Sequence, residues 1–177
     1  MNYQLELDKV IAGLDGTRPN LLLHVCCAPC SSYCIEYLAK YFELTLYWYN
    51  PNIQPRAEHD KRLAELRRLL SLTAELPLIV DVSEIAHEAG NCRACIAERL
   101  RKTAELADER GFGYFCTTLS VSPHKNAAMI NELGAALSPK WLPSDFKKRS
   151  GYLRTIELSR EYGLYRQNYC GCLFSEQ

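Results

Sequence analysis

The sequence predicts an α/β fold with a mostly parallel sheet and helices on both faces. Two patterns carry this expectation. Apolar runs of strand length alternate with longer stretches whose apolar residues recur at helical spacing, as βαβ units require. The groups with chemistry to offer also follow directly after strands, where open parallel sheets collect their ligands.

The elements follow in order. Residues 1–18 read as a short amphipathic helix, apolar at Leu5, Val10, Ile11 and Leu14 and closing near Gly16. A strand over 21–26 runs into Cys26-Cys27-Ala28-Pro29-Cys30. Ser31-Ser32 then reads as the cap of a helix over about 32–42. Cys34, Tyr37, Leu38 and Tyr41 share one face of it, which makes Cys34 a packing residue. The second strand, 44–49, stops at Asn50-Pro51-Asn52. The stretch 57–71 places Leu63, Leu66 and Leu70 on one face of an amphipathic helix. Pro77 opens a third strand, 78–82. After a loop through Gly90, Cys92-Arg93-Ala94-Cys95 starts a helix that runs to about Arg110, with Ile96, Leu100, Ala104 and Ala107 inward. The fourth strand, 114–119, has Cys116 in its interior. Ser122-Pro123 has the chemistry that opens a helix, here ending near Leu137.

At 177 residues the chain fits one domain, an α/β core over 1–138 and a helical or irregular extension over 139–177. No apolar run approaches the roughly 20 residues of a membrane span. The N-terminus has neither the basic segment nor the apolar core of a signal peptide, so a cytoplasmic location is expected. Lys plus Arg and Asp plus Glu are 21 each, so net charge gives no sign of a nucleic-acid partner. The segment 140–154 differs: Lys140, Lys147, Lys148, Arg149 and Arg154 interleave with Trp141, Phe146 and Tyr152. That composition suits an RNA surface and a solvated face equally.

Nine cysteines in a reduced compartment point to metal ligation or redox chemistry, since structural disulfides are disfavoured there. The groups are Cys26-Cys27-Ala28-Pro29-Cys30, Cys92-x-x-Cys95 and Cys170-Gly171-Cys172. A Cys-x-x-Cys at a helix start aims two sulfurs at one centre, while first-turn amides and the helix dipole favour thiolates. Together with Cys26 and Cys27 at the same sheet edge it supplies four ligands. Structural zinc and a 4Fe-4S cluster are both satisfied by four thiolates. The surplus thiols Cys30, Cys170 and Cys172 favour the redox alternative. Residues i and i+2 of an extended chain lie about 6.6–7.2 Å apart, at the limit for a disulfide, and the intervening glycine lets the chain turn. A small ring so formed would be strained and easily reduced, which suits a cycling pair; the alternative is two unrelated tail cysteines or extra ligands. Thr117, Thr118, Ser120 and Ser122 with Lys125 read as a phosphate or ribose site or as ordinary capping.

These motifs resemble those of the cobalamin-independent epoxyqueuosine reductases, the QueH family. The shared stretches are His-Val-Cys-Cys-Ala-Pro-Cys, Tyr-Asn-Pro-Asn-Ile, Cys-Arg-Ala-Cys, Phe-Cys-Thr-Thr-Leu-Ser-Val-Ser-Pro-His-Lys, Asp-Phe-Lys-Lys and Leu-Tyr-Arg-Gln-Asn-Tyr-Cys-Gly-Cys. They run from residue 24 to the C-terminus. The resemblance implies a Rossmann-like fold related to the nucleotide α-hydrolases. It implies reduction of the epoxide of epoxyqueuosine to the alkene of queuosine at the wobble position of tRNA. It implies a 4Fe-4S cluster on Cys26, Cys27, Cys92 and Cys95, a redox-active pair in Cys170 and Cys172, and an additional mononuclear iron touching Cys30. The partners so implied are the anticodon stem-loop and an external electron donor, with no membrane. Asp145, His24 and Lys125 are the proton-donor candidates. The alternatives are a zinc-stabilised protein and an ATP-dependent tRNA-modifying enzyme of the same fold group. The second lacks the glycine-rich phosphate loop it would need after the first strand.

Overall fold

A computed structural model of the chain describes residues 1–83, 91–167 and 169. Four strands form one all-parallel sheet: β1 (Asn20–Val25), β2 (Glu43–Tyr49), β3 (Leu78–Asp81) and β4 (Tyr114–Thr117). They stand in the order β3-β2-β1-β4. The α/β expectation is borne out. β1 lies at the centre, and Leu21, Leu22, Leu23 and Val25 are all fully buried, the near-continuous apolar run of a strand covered on both faces. Each such side chain contributes roughly 1.5–3 kcal/mol by leaving water.

The helices are α1 (Tyr3–Gly13), α2 (Ala28–Leu38), α3 (Arg56–Leu72), α4 (Cys92–Glu109), α5 (Ala127–Leu137) and α6 (Gly151–Glu161). Right-handed crossovers from β1 to β2 to β3 put α2 and α3 on one face, where α6 also packs. The return from β3 to β4 puts α4 on the other, against α5. The strand order therefore reverses between β1 and β4, the place where open parallel sheets collect ligands beyond their carboxyl ends.

Two helix starts and one buried face differ from the sequence reading. α2 begins at Ala28, four residues earlier, because Pro29 sits in its first turn and Cys27 supplies the cap. Ser31 and Ser32 lie inside the helix and return their hydroxyls to the carbonyls of Cys27 and Pro29. α5 begins at Ala127: Ser122 Oγ accepts the His124 N–H in a local turn, and Asn126 caps the helix through Met129 N–H. In α1 the buried face centres on Gln4 and Leu7, while Leu5 is exposed.

Candidate metal centre

β1 is the rod that delivers the thiols. It ends at Val25, and Cys26 and Cys27 follow at the point where the strand order reverses. Cys27 has extended backbone (φ −168°, ψ 164°), and its sulfur accepts the Cys30 N–H at 3.4 Å. One cysteine thus caps the helix that carries the next. The Sγ atoms of Cys26, Cys27 and Cys30 all lie within 4.8 Å of one another. A metal with tetrahedral bonds of about 2.3 Å to sulfur spaces its ligands about 3.8 Å apart. The three donors therefore fit a thiophilic metal with small side-chain adjustments.

The trio shares its charge unequally. Hydrogen bonds from the Cys27 and Cys30 thiols hold Cys26 well below the ordinary thiol value, and the Thr118 hydroxyl, 3.5 Å from its sulfur, adds to this. Cys27 is pushed up to about 12, chiefly by its bond to Cys26, and Cys30 is raised by its bonds to both neighbours. Of the three, Cys26 is therefore the thiol that ionises most readily. Cys34 and Cys116 are fully buried and raised mainly by burial, so both are the core residues expected.

His24 is a brace. Its Nε2 lies 3.0 Å from the Tyr49 carbonyl, which can only accept, so the proton sits on Nε2. Nδ1 then accepts from Thr117 Oγ1 at 2.9 Å. The ring thereby ties β1 to both neighbouring strands. Burial, reinforced by the nearby Arg99, lowers its pKa to about 4, so the ring is neutral and has no proton to spare. Both ring nitrogens, a proton source in the sequence reading, have partners within the sheet.

Cys92 and Cys95 occupy the first turn of α4, capped by Asn91 through Ala94 N–H at 2.9 Å. Cys92 is exposed and Cys95 half-buried. Neither belongs to the close trio. The next turn of the helix does reach the same edge: Glu98 lies 3.5 Å from Tyr49 Oη, and the buried Arg99 acts on His24 while donating to the Cys95 carbonyl. Cys170 and Cys172 lie outside the described residues.

The segment before them is held in place. Leu164 packs between Ala28 and Leu69. Tyr165 donates its N–H to Glu65 and its hydroxyl to Glu58, at 2.6 and 2.8 Å. Arg62, paired with Glu58 at 2.8 Å, donates to the Tyr169 carbonyl at 3.0 Å. Tyr169 Oη donates to the Gln54 carbonyl at 2.8 Å. The strap formed by residues 164–167 and 169 therefore runs along α3 to the loop after β2. Nothing in the residue pattern singles out Glu58, Arg62 and Glu65 as anchors, since they resemble any charged helix face.

Other hydroxyls and cations are committed internally. Thr117 serves His24 and Leu119 N–H, and Ser120 Oγ accepts Phe146 N–H. Lys147 pairs with Asp145 at 3.3 Å and donates to the carbonyls of Ser120 and Lys125. Lys140 pairs with Asp108, Arg149 with Asp8, and Arg154 with Glu36 and Glu157. The basic segment is largely a set of struts; Lys148 and Arg149 are exposed, and Arg149 is the one of the two paired, with Asp8.

Comparison with known proteins gives the same direction. The sequence profile described as "Epoxyqueuosine reductase QueH" matches residues 21–177. Proteins named epoxyqueuosine reductase QueH from Streptococcus pyogenes and Staphylococcus epidermidis are 36% and 38% identical. Those matches cover 98% and 99% of this chain, and 79% and 84% of the relatives. One from Thermotoga maritima is 34% identical over 88% of this chain and 89% of its own length. A profile match reaching through the thiol loop to the last residue, with relatives of this identity, means that the chain belongs to the epoxyqueuosine reductase QueH family.

Proposed function

We propose that this chain reduces the epoxide of epoxyqueuosine to the alkene of queuosine at the wobble position of tRNA, using a metal centre on its clustered thiols. The observation that carries this is the thiol trio at the switch point, with one sulfur already favoured as thiolate. Members of the family are oxidoreductases. A tRNA substrate brings with it a cytoplasmic location, and no helix among the described residues is long and apolar enough to cross a membrane.

The cofactor reading assigns Cys26, Cys27, Cys92 and Cys95 to a 4Fe-4S cluster and Cys30 to an additional iron. Bound there, the cluster would supply electrons one at a time at low potential, and the iron a Lewis acid. Cys26 provides the first anionic donor. Thr118 steadies its charge, and Cys27 keeps Cys30 in register through the helix cap. His24 fixes the spacing of the three strand ends beneath the thiols.

The reaction takes two electrons and two protons and releases the epoxide oxygen as water. Oxidation of the Cys170 and Cys172 dithiol to a disulfide yields two electrons and two protons, which balances it, and an external electron donor then restores the dithiol. Anchoring of Tyr169 at Gln54, one residue before Cys170, supports this assignment. The wobble base reaches the thiols by leaving its stack.

The spacing of the three thiols also suits mononuclear zinc, so the test must separate the two. Protein purified without oxygen should contain iron and acid-labile sulfide, be brown, and convert epoxyqueuosine to queuosine in tRNA in a single turnover. Colourless protein containing zinc and inert toward that RNA would end the proposal. Against an ATP-dependent relative, the amide that a phosphate would take at the start of α2 is already spent on the Cys27 sulfur.

A further inference from the structure

The buried face of α4 consists of Ile96, Arg99, Leu100, Thr103, Ala104 and Ala107. The other five suit a stripe that faces the core, and an arginine does not. Arg99 is only 4% exposed. Its Nε donates to the Cys95 carbonyl at 3.2 Å, and no carboxylate among the described residues pairs with it. The acids around it are committed elsewhere. Glu98 and Glu105, on the same helix, pair with Arg101, and Asp81, at the end of β3, pairs with Lys102. Arg62 shows the usual arrangement: it is 2% exposed, and Glu58 meets its charge at 2.8 Å. A buried charge is costly unless one of opposite sign meets it.

Arg99 touches one candidate ligand, Cys95, and its charge is felt at His24, two residues before another, Cys26. It therefore acts on both the start of α4 and the end of β1, the two places from which the described thiols of the ligand set come. Thiolates outnumber the positive charges of zinc, and those of an iron–sulfur core, so a metal–thiolate centre is an anion.

We propose that Arg99 is the counter-charge of the metal–thiolate centre, a buried guanidinium without a carboxylate that is neutralised when the clustered thiols bind metal. The inference rests on the metal site assigned above. It implies that Arg99 burdens the metal-free protein and steadies the loaded one. Phosphate is the other anion a guanidinium takes, so the test separates the two.

The test uses the full chain, metal-free and loaded with zinc or, without oxygen, with iron and sulfide. Arg99→Met removes the charge at similar length. Metal-free Arg99→Met should unfold at a urea concentration equal to or above that of wild type. It should bind zinc roughly tenfold more weakly, the scale of one charge acting through a partly screened site, and Arg99→Lys should retain most of the affinity. In the iron–sulfur form, one electron from dithionite adds a negative charge without making or breaking a bond. Arg99→Met should therefore lower the midpoint potential by about 59 mV, a tenfold shift in that equilibrium. Arg99→Gln, which keeps a donor for the Cys95 carbonyl, serves if methionine is not tolerated.

Wild-type metal affinity and potential in a neutral variant would overturn the inference. So would an equal loss of stability with and without metal, the mark of a packing role. Failure of both neutral variants to fold without metal would overturn it too, because the charge would then serve the fold itself. Inorganic phosphate that stabilises metal-free wild type but not Arg99→Met, with metal affinity unchanged, would give the charge to phosphate instead. The tenfold effect on zinc in a protein that, however loaded, reduces no epoxyqueuosine would leave the counter-charge standing and remove the reductase assignment. Normal turnover with unchanged affinity would do the reverse.

Discussion

Thr118 Oγ1 and Cys26 Sγ face each other at 3.5 Å across the point where the sheet reverses its strand order. With Cys26 as the thiolate, the hydroxyl is the donor, so the residue after β4 helps set the charge of the residue after β1. Thr118→Val should raise the Cys26 thiol toward its ordinary value. Loss of about 1 kcal/mol of hydrogen bonding would move the midpoint of its pH–alkylation profile with iodoacetamide up by about 0.7 of a pH unit in metal-free protein, and Thr118→Ser should restore it. A Thr118→Val midpoint equal to that of wild type would show that the hydroxyl does nothing for the sulfur.

Glu58 predicts an acid-sensitive strap. Burial opposes its charge, but hydrogen bonds from Arg62 and Tyr165 outweigh that and hold the carboxyl below its ordinary value. A carboxyl depressed on folding binds fewer protons in the native than in the unfolded chain. Its contribution is complete above the unfolded value of about 4.3 and is lost as pH falls through the native one. Glu58→Gln should therefore cost about 1–3 kcal/mol at pH 7 in urea unfolding, with the deficit shrinking below about pH 4. An equal deficit at pH 7 and pH 3 would mean the carboxylate is not what holds Tyr165.

Lys147 and Lys148 are adjacent but should behave oppositely. Lys147 Nζ reaches Asp145, the Ser120 carbonyl and the Lys125 carbonyl, so Lys147→Gln should lower stability by about 1–3 kcal/mol and leave the salt dependence of tRNA binding unchanged. Lys148 is exposed, and Lys148→Gln should leave the melting temperature alone while lowering the log–log salt slope by about 1. Equal salt slopes for wild type and Lys148→Gln would take the RNA away from this segment.

That contrast marks where the sequence was legible. Strand and helix patterns are local, so the apolar run Leu21–Val25, the Leu66–Leu70 face and the Cys92 helix start could be read directly and were found. So could the close approach of Cys26, Cys27 and Cys30, which leave one strand end and open one helix. What could not be read depends on partners far along the chain. Asn50 looked like a strand stop, yet its amide bonds Val25; Arg62 looked like a solvated charge, yet it holds Tyr169. Ala28-Pro29 looked like a turn because proline breaks helices in their interiors, but it is favoured in their first turn. Composition cannot separate a cation that pairs with its own fold from one that awaits a phosphate, as Lys147 and Lys148 show.

Cys27 lets the structural and metal roles of one residue be separated. Its sulfur caps α2 by accepting the Cys30 N–H, and it also stands within 4.8 Å of the Cys26 and Cys30 sulfurs. Serine is among the preferred capping residues, so Cys27→Ser should keep the helix start and leave metal-free stability within about 1 kcal/mol of wild type. A serine hydroxyl is a poor substitute for a thiolate toward soft metals. The same variant should therefore lose most of its bound metal and all turnover on epoxyqueuosine RNA, with an unchanged far-ultraviolet circular dichroism spectrum. Cys27→Ala removes both functions and should be the less stable of the two by the cost of a missing cap, about 1 kcal/mol. Full metal content in Cys27→Ser would remove this sulfur from the ligand set and leave it the cap alone.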